Sequence, residues 1–150
     1  MIWIGIMTAI FFLDLFIKQM VEKKMKTGVR RKLGDRGFFL QKLHNKGFAL
    51  NRMDKHPDRV KWIQSGLMVF FSIYGIAKVF FHSERKVTAL GMSLILGGGF
   101  SNLYDRWKRG YVVDYLGLPG IKKIVFNLSD LCIFAGAFFV FLGDLRNRFH

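Results

Sequence analysis

Four long apolar windows limit what this chain can fold into. They are residues 2–21, 62–81, 87–104 and 124–143. Each approaches the ~20 residues that a helix needs to cross a hydrocarbon layer ~30 Å thick. The stretch from Leu67 to Ala77 is apolar on nearly every side, whereas a helix in a soluble bundle keeps a polar face. We therefore predict an all-α integral membrane protein with four transmembrane helices, forming a single membrane domain over residues 1–150.

The connection between the first two windows suggests a second, smaller element. Residues 22–61 carry most of the positive charge. Within them, Gly37 to Leu40 and Gly47 to Leu50 have the pattern of short strands between polar turns. We therefore expect this connection to contain short strands and to be folded.

Glycine and proline mark two further features. The triplet Gly97-Gly98-Gly99 in the third window predicts a close contact between helices, because glycine lets neighbouring backbones approach in a membrane. The connection at 105–123 contains the breaker Pro119-Gly120. It has room for a short interfacial helix or strand before that breaker.

Composition argues against several classes of protein. An aromatic content of 16% excludes intrinsic disorder, and the single cysteine, Cys132, excludes a disulfide-stapled secreted domain. No Cys/His cluster has metal-ligand spacing, so we expect no metal site. The net charge of +14 invites a nucleic-acid binder. However, the basic residues flank predicted spans without a recognition motif, so we expect no nucleic-acid partner.

Ionisable residues inside a span call for a partner or a function, because burying a charge in lipid is costly. Asp14 and Lys18 interrupt the first window. They are four residues apart and share one helical face, where they can form an ion pair. A structural pair and a direct role in chemistry both remain open for them. The same window lacks the basic n-region and the cleavage site of a signal peptide, so we predict a retained span.

Polar side chains also lie at the end of the third window and near the start of the fourth. Helical spacing places each set on one face. The sets are Asn102, Asp105 and Arg106 in the third window, and Asn127 and Asp130 in the fourth.

Two aspartates can meet at one membrane surface. Asp114 follows Val112-Val113 in the third connection, and Asp130 lies early in the fourth window. The third and fourth spans flank this connection and must be antiparallel, so both carboxylates can lie on the same side. Two carboxylates in a partly dry site hold one proton between them, which suits peptide hydrolysis by activated water. Ion relays and helix caps use aspartates too, so spacing alone leaves these roles open.

The polar motifs resemble those of a known family. GGGFSNLYDRWKRGYVVDY, from Gly97 to Tyr115, and FNLSD, from Phe126 to Asp130, resemble the two signature motifs of the lipoprotein signal peptidase (signal peptidase II) family. The spacing Asp14-x-x-x-Lys18 resembles that family's Asp/Lys pair in the first span. Asn45-x-Gly-x-Ala resembles its motif after that span. The resemblance covers nearly the whole chain. It implies a small, strand-rich extracytoplasmic cradle at about residues 30–55, after the first helix.

The resemblance implies an aspartic endopeptidase and a role for each motif residue. It would remove the signal peptide from diacylglyceryl-modified prolipoproteins, cleaving just before the lipidated cysteine, as a monomer without metal or other cofactor. Globomycin-type peptides would inhibit it. The implied partners are prolipoproteins and membrane lipids. The implied catalytic residues are Asp114 and Asp130. The residues implied to surround the site or hold substrate are Asn45, Asn102, Arg106 and Asn127. The motif positions with a largely structural role are Asp14, Lys18 and Asp105.

Orientation is the point on which charge and resemblance disagree. The resemblance implies a multi-pass protein of the cell membrane with cytoplasmic termini and an extracytoplasmic active site. Yet 13 Lys and Arg residues lie in 22–61 and five in 105–123, against two in 82–86 and two in 144–150. The positive-inside rule would place the basic connections in the cytoplasm. We keep the family's orientation, because the first connection is predicted to be folded and its basic face can lie on anionic headgroups.

The chain departs from the family's pattern at three positions. Ser101 stands where glycine is usual, Ser129 where alanine is common, and Phe48 where a small residue is normal. These departures bear on substrate preference rather than on reaction type. The alternative from another class is a non-catalytic polytopic membrane protein. It would bind anionic lipid or a partner through its basic face, with its aspartates serving as helix caps.

Overall fold

Four helices occupy the predicted spans. A computed structural model describes residues 2–47, 55–81, 86–120 and 124–146. Its helices are α1 (Ile2–Lys24), α2 (Pro57–Phe81), α3 (Lys86–Arg109) and α4 (Leu128–Arg146). Each is long and apolar enough to cross a membrane. The predicted fold class is therefore confirmed.

Helix α3 lies at the centre of the bundle. About 61% of its most apolar window is buried inside the protein, against 17% for each of the other three helices. Large apolar side chains on the outer helices stay exposed, including Phe12 of α1, Ile73 of α2 and Phe138 of α4. In a membrane these side chains face lipid, so the apolar residues of α1, α2 and α4 need no protein partner.

The glycine triplet explains how one helix packs against three. A Cβ on Gly97 would lie 2.8 Å from the Met7 carbonyl oxygen of α1, and one on Gly98 would lie 2.6 Å from the Ser129 carbonyl oxygen of α4. A Cβ on Gly99 would overlap the Met68 sulfur of α2. Successive residues of a helix point about 100° apart. Each glycine therefore removes a side chain from a different helix interface, as the predicted close contact requires.

Within the described residues, four strands form one antiparallel sheet that extends the predicted cradle. They are β1 (Arg30–Leu33), β2 (Phe38–Asn45), β3 (Val112–Gly117) and β4 (Val125–Phe126), paired in that order. The strand expected at Gly37 to Leu40 is the start of β2, with Gly37 in the preceding turn at φ 81°. The strand expected at Gly47 to Leu50 lies mostly outside the described residues.

The third connection supplies half of this sheet. Residues Leu43 and Asn45 of β2 pair with Asp114 and Val112 of β3. A short helix or a strand was expected in this connection, and the structure has a strand. Strand β4 also explains why α4 begins at Leu128 rather than at 124, because Val125–Phe126 pairs with β3 instead of continuing the helix. The sheet therefore holds β3 directly beside the start of α4.

Candidate active site

Strand β3 and helices α3 and α4 bring five of the expected site residues to one cavity of about 280 Å³. Side chains alternate along a strand. Val113 and Tyr115 of β3 pack toward α1, while Asp114 faces the cavity. Asp130 reaches it from the first turn of α4. The five residues are Asn45, Asn102, Arg106, Asp114 and Asp130.

Asn127 forms hydrogen bonds with both aspartates. It immediately precedes α4, and its backbone N–H donates to Asp130 Oδ2 at 3.1 Å while its Oδ1 accepts the Asp130 N–H at 2.8 Å. This reciprocal pattern is that of a capping box. Its Nδ2 also donates to Asp114 Oδ1 at 2.8 Å. One fully buried asparagine therefore fixes the carboxylates of both β3 and α4.

Two further amides complete the hydrogen bonds to the carboxylates. Asn45 Nδ2 donates to Asp114 Oδ2 at 2.9 Å, and Asn102 Nδ2 donates to Asp130 Oδ1 at 3.0 Å. Each aspartate thus accepts one bond from Asn127 and one from another asparagine. Because hydrogen bonds to fixed donors restrict the rotation of a side chain, both carboxylates are held in place at the cavity wall.

The environment of Asp114 favours its protonated form. Burial, followed by the negative charge of Asp130, raises the pKa of Asp114 from 3.8 to about 7. The hydrogen bonds from Asn45 and Asn127 act in the opposite direction. Asp114 therefore keeps its proton up to near neutral pH, and the two carboxyls can hold one proton between them.

Arg106 and Gln64 supply further polar groups at the cavity. Arg106 Nη2 donates to the Gly47 carbonyl oxygen at 2.5 Å. Its Nε and Nη1 are buried and have no hydrogen-bond partner among the described residues. Gln64 lines the same cavity, with its Nε2 donating to the Gly99 carbonyl oxygen at 3.2 Å. The sequence did not single out Gln64, although a lone amide in an apolar window is a visible signal.

The remaining three motif residues lie behind the cavity. Lys18 Nζ is 2.7 Å from Asp14 Oδ2 and 3.5 Å from Asp105 Oδ2, and all three side chains are fully buried. The predicted pairing of Asp14 with Lys18 is present. Asp105 also accepts the Val113 N–H at 3.3 Å and pairs with Arg109. This cluster joins α1, α3 and β3 without lining the cavity.

Two of the three departures from the family's pattern contact this cluster. The hydroxyls of Ser101 and Ser129 both donate to Asp14 Oδ2. Phe48, the third, lies outside the described residues. The Tyr115 hydroxyl accepts the Leu128 N–H at 3.0 Å, a contact at the start of α4 that no pattern in the sequence predicts. Within the described ranges, no group of three or more His, Cys, Asp and Glu side chains could hold a metal ion.

The chain matches a known protein family along most of its length. The model of the signal peptidase (SPase) II family matches residues 6–146. The lipoprotein signal peptidase of Brucella ovis is 32% identical over 160 residues, which cover 98% of this chain and 95% of the relative. That of Ralstonia nicotianae is 31% identical over 147 residues, covering 96% and 84%.

A solved structure shares the fold. A bacterial membrane enzyme determined by the in meso method at 2.3 Å resolution matches with a TM-score of 0.78, at 20% sequence identity. The match covers 97% of this chain and 88% of that one. The family model spans nearly all of the chain, including both aspartates and most of each helix, and so the chain belongs to the signal peptidase II family.

Proposed function

We propose that this protein is an aspartic endopeptidase that removes the signal peptide from diacylglyceryl-modified prolipoproteins, cleaving before the lipidated cysteine. Family membership and the names of its relatives, lipoprotein signal peptidases, support the substrate class. The observation that carries the reaction is the pair of carboxylates, Asp114 and Asp130, at one cavity with a shared asparagine between them. A water between two such carboxylates is the nucleophile that peptide hydrolysis requires.

The first step adds water to the scissile carbonyl. Asp114 is the protonated member of the pair, because its pKa is raised to about 7. Asp130 is the ionised member and removes a proton from water, whose oxygen bonds to the carbonyl carbon. Asp114 gives its proton to the carbonyl oxygen. The product is a neutral gem-diol, so the strongly basic oxyanion never forms.

The second step breaks the C–N bond. Asp130 returns its proton to the departing nitrogen, while one hydroxyl of the gem-diol gives its proton to Asp114. The products are a carboxylic acid and an amine, and each aspartate regains its starting state. The free Nε–H and Nη1–H groups of Arg106 are suited to hold a carbonyl of the substrate backbone beside the pair.

The surroundings of the cavity suit a lipidated substrate. Leu67 and Phe71 of α2 and Ile133 and Phe134 of α4 line it, and Leu67 and Phe134 are also exposed on the outside of the bundle. The acyl chains can therefore stay in the bilayer while the peptide bond meets the carboxylates. The reaction uses no metal or other cofactor, and one chain supplies all the groups it requires.

The direct test is cleavage by purified protein in detergent. A precursor carrying diacylglyceryl-cysteine should be cut before that cysteine, as shown by a mobility shift and by mass spectrometry of the products. The same precursor without the lipid should be cut much more slowly. Equal cutting of both precursors would contradict the substrate class, and no cutting of either would contradict the reaction.

One observation separates this proposal from a non-catalytic protein whose aspartates only cap helices. Asp130 does cap α4, through its bond to the Asn127 N–H. Asp114 lies within strand β3, and its carboxylate accepts side-chain amides at the cavity. Capping leaves the burial of a second carboxylate beside the first unexplained, whereas hydrolysis requires it.

Activity should fall on the alkaline side as Asp114 loses its proton. A raised pKa keeps the acid form below about pH 7 and loses it above, so kcat/KM should decline through that region. The measurement is kcat/KM for the lipidated precursor from about pH 5 to about pH 9, in one detergent and at one ionic strength. A value that rises steadily to the alkaline end would contradict the assignment of Asp114 as the acid.

The active site should face away from the cytoplasm, with both termini inside the cell. The basic first connection is a folded hairpin, β1 and β2, so a simple count of its charges carries less weight. In a Cys132→Ala background, a cysteine at the exposed turn residue Asp35 should react with an impermeant maleimide on intact cells. Labelling of Asp35→Cys only after lysis would establish the opposite orientation.

A further inference from the structure

A chain of hydrogen bonds links α1 to the catalytic pair through the middle of the bundle. Lys18 Nζ donates to Asn102 Oδ1 at 2.6 Å, and Asn102 Nδ2 donates to Asp130 Oδ1 at 3.0 Å. Lys18 has no exposed surface, and Asn102 is only 7% exposed. One amide thus accepts from an ammonium group and donates to a carboxylate, and each bond polarises the other.

We infer that Lys18 is a positioning residue of the reaction, which acts through the Asn102 amide to keep the negative charge on Asp130 rather than on Asp114. The inference rests on the proposed function, since it concerns which aspartate takes the proton from water. A buried positive charge near one member of a carboxyl pair makes the pair unequal. Lys18 never touches substrate, because it lies behind the cavity rather than in its wall.

Asp14 and Asp105, the acids beside Lys18, have other partners as well and so do not fully neutralise its charge. Asp14 also accepts the hydroxyls of Ser101 and Ser129, as well as the Ser129 N–H at 3.3 Å. Asp105 shares its charge with Arg109, 3.3 Å away. Among the hydrogen bonds of Lys18, the one to Asn102 at 2.6 Å is much shorter than the one to Ser101 Oγ at 3.3 Å. The ammonium group therefore lies as close to the amide that contacts Asp130 as to Asp14 Oδ2, which is 2.7 Å away.

Ser101 and Ser129 contribute hydrogen bonds to this arrangement. They stand where the family commonly has glycine and alanine, residues that cannot donate a side-chain hydrogen bond. In this chain they give the Asp14 carboxylate two donors besides Lys18. Asp14 then competes less strongly with Asn102 for the ammonium group.

Other charged groups act on the pair as well. They reach Asp130 and Lys18 from three packed elements, so removing Lys18 changes one contribution among several. These groups are Asp14 of α1, Asp105, Arg106 and Arg109 of α3, and Asp114 and Tyr115 of β3.

Two variants of Lys18 test the inference. Lys18→Met removes the charge at nearly constant length, and Asp14→Asn/Lys18→Met removes both charges of the ion pair. The second variant keeps the charge of the cluster balanced, so it should fold even if the first does not. For both, we expect kcat to fall by about 10- to 100-fold with little change in KM, because the chemistry and not the binding is affected. The acidic limb of the pH profile of kcat should move to higher pH, by about one unit in Lys18→Met and by less in the double variant, which also removes the negative charge of Asp14.

Lys42→Met is the matched control. Lys42 is also buried, at 7% exposure, but it donates to the Glu22 carbonyl oxygen and pairs with the Glu22 side chain, away from the aspartates. Its loss should lower thermal stability and leave the pH profile in place. A purely structural Lys18 would behave in the same way.

An infrared titration of the carboxyl band provides a readout that does not depend on turnover. In the folded Asp14→Asn/Lys18→Met variant, the catalytic pair should give up its first proton at higher pH than in the wild type. Matching titrations and an unmoved acidic limb would overturn the role of Lys18. Full turnover by Asp114→Asn and Asp130→Asn would instead overturn the proposed reaction itself, so the two failures are distinguishable.

Discussion

Replacing either Asp114 or Asp130 by asparagine should reduce kcat by about 10³-fold or more while leaving the protein folded. Asparagine has nearly the shape of aspartate, but its amide can neither take a proton from water nor donate one to a carbonyl oxygen. At Asp130, the amide oxygen can still accept the Asn127 N–H that caps α4. Loss of activity would therefore reflect the loss of proton transfer and not a loss of folding. The measurement is turnover of the lipidated precursor, with size-exclusion and thermal unfolding profiles alongside.

Asp58→Asn is the control for loss of a carboxylate elsewhere in the chain. Asp58 lies in the first turn of α2, is 83% exposed at its side chain, and pairs with Lys61 at the surface. Such exposed pairs contribute little, about 0–1 kcal/mol. This variant should keep wild-type turnover. Undiminished cleavage by the Asp114→Asn/Asp130→Asn double variant would remove the proposed mechanism.

Asn127→Asp should be the next most damaging change, with a fall in kcat/KM of about 10²- to 10³-fold at neutral pH. The new carboxylate can still cap α4, because its oxygen can accept the Asp130 N–H as Asn127 Oδ1 does. However, the donor that now contacts Asp114 Oδ1 is lost and a third negative charge takes its place. The pair then loses both its alignment and its charge balance.

This variant has a signature that a folding defect would not reproduce. Protonating the third carboxyl at lower pH removes its charge, so activity should recover partly as the pH falls. The protein should stay folded at the assay temperature because the cap is retained, although the buried charge lowers its thermal unfolding temperature at neutral pH. Activity within about threefold of the wild type at neutral pH would show that Asn127 serves the helix alone.

The membrane fold follows from the apolar windows, and its details depend on pairing that those windows do not encode. The run from residue 124 onward is apolar whether it is helix or strand. Val125 and Phe126 leave the helix because Gly117 and Leu116 of β3 offer them strand partners. Hydropathy reports that a residue leaves water, and it does not distinguish a span from a short strand at the membrane surface.

In the site, too, the sequence predicts contacts between nearby residues but not those that depend on tertiary packing. The three-residue spacing of Asn127 and Asp130 already predicts a shared face, and it is also the spacing of a capping box. By contrast, Ser101 and Ser129 are 87 and 115 residues from Asp14 along the chain. Their shared contact depends on how α1, α3 and α4 pack. In the sequence, these serines are only departures from a motif. The structure shows that both hydroxyls donate to Asp14.

In the proposed reaction, water placed between Asp114 and Asp130 attacks the peptide bond directly. A single turnover in ¹⁸O-labelled water, with enzyme in excess over the lipidated precursor, tests it by mass spectrometry. Direct attack places ¹⁸O in the new carboxylate of the released signal peptide and leaves the enzyme's aspartates unlabelled. Label in the enzyme peptide that carries Asp114 or Asp130, or a signal-peptide hydroxamate formed when hydroxylamine is added, would reveal an acyl intermediate on one of these side chains and contradict direct attack.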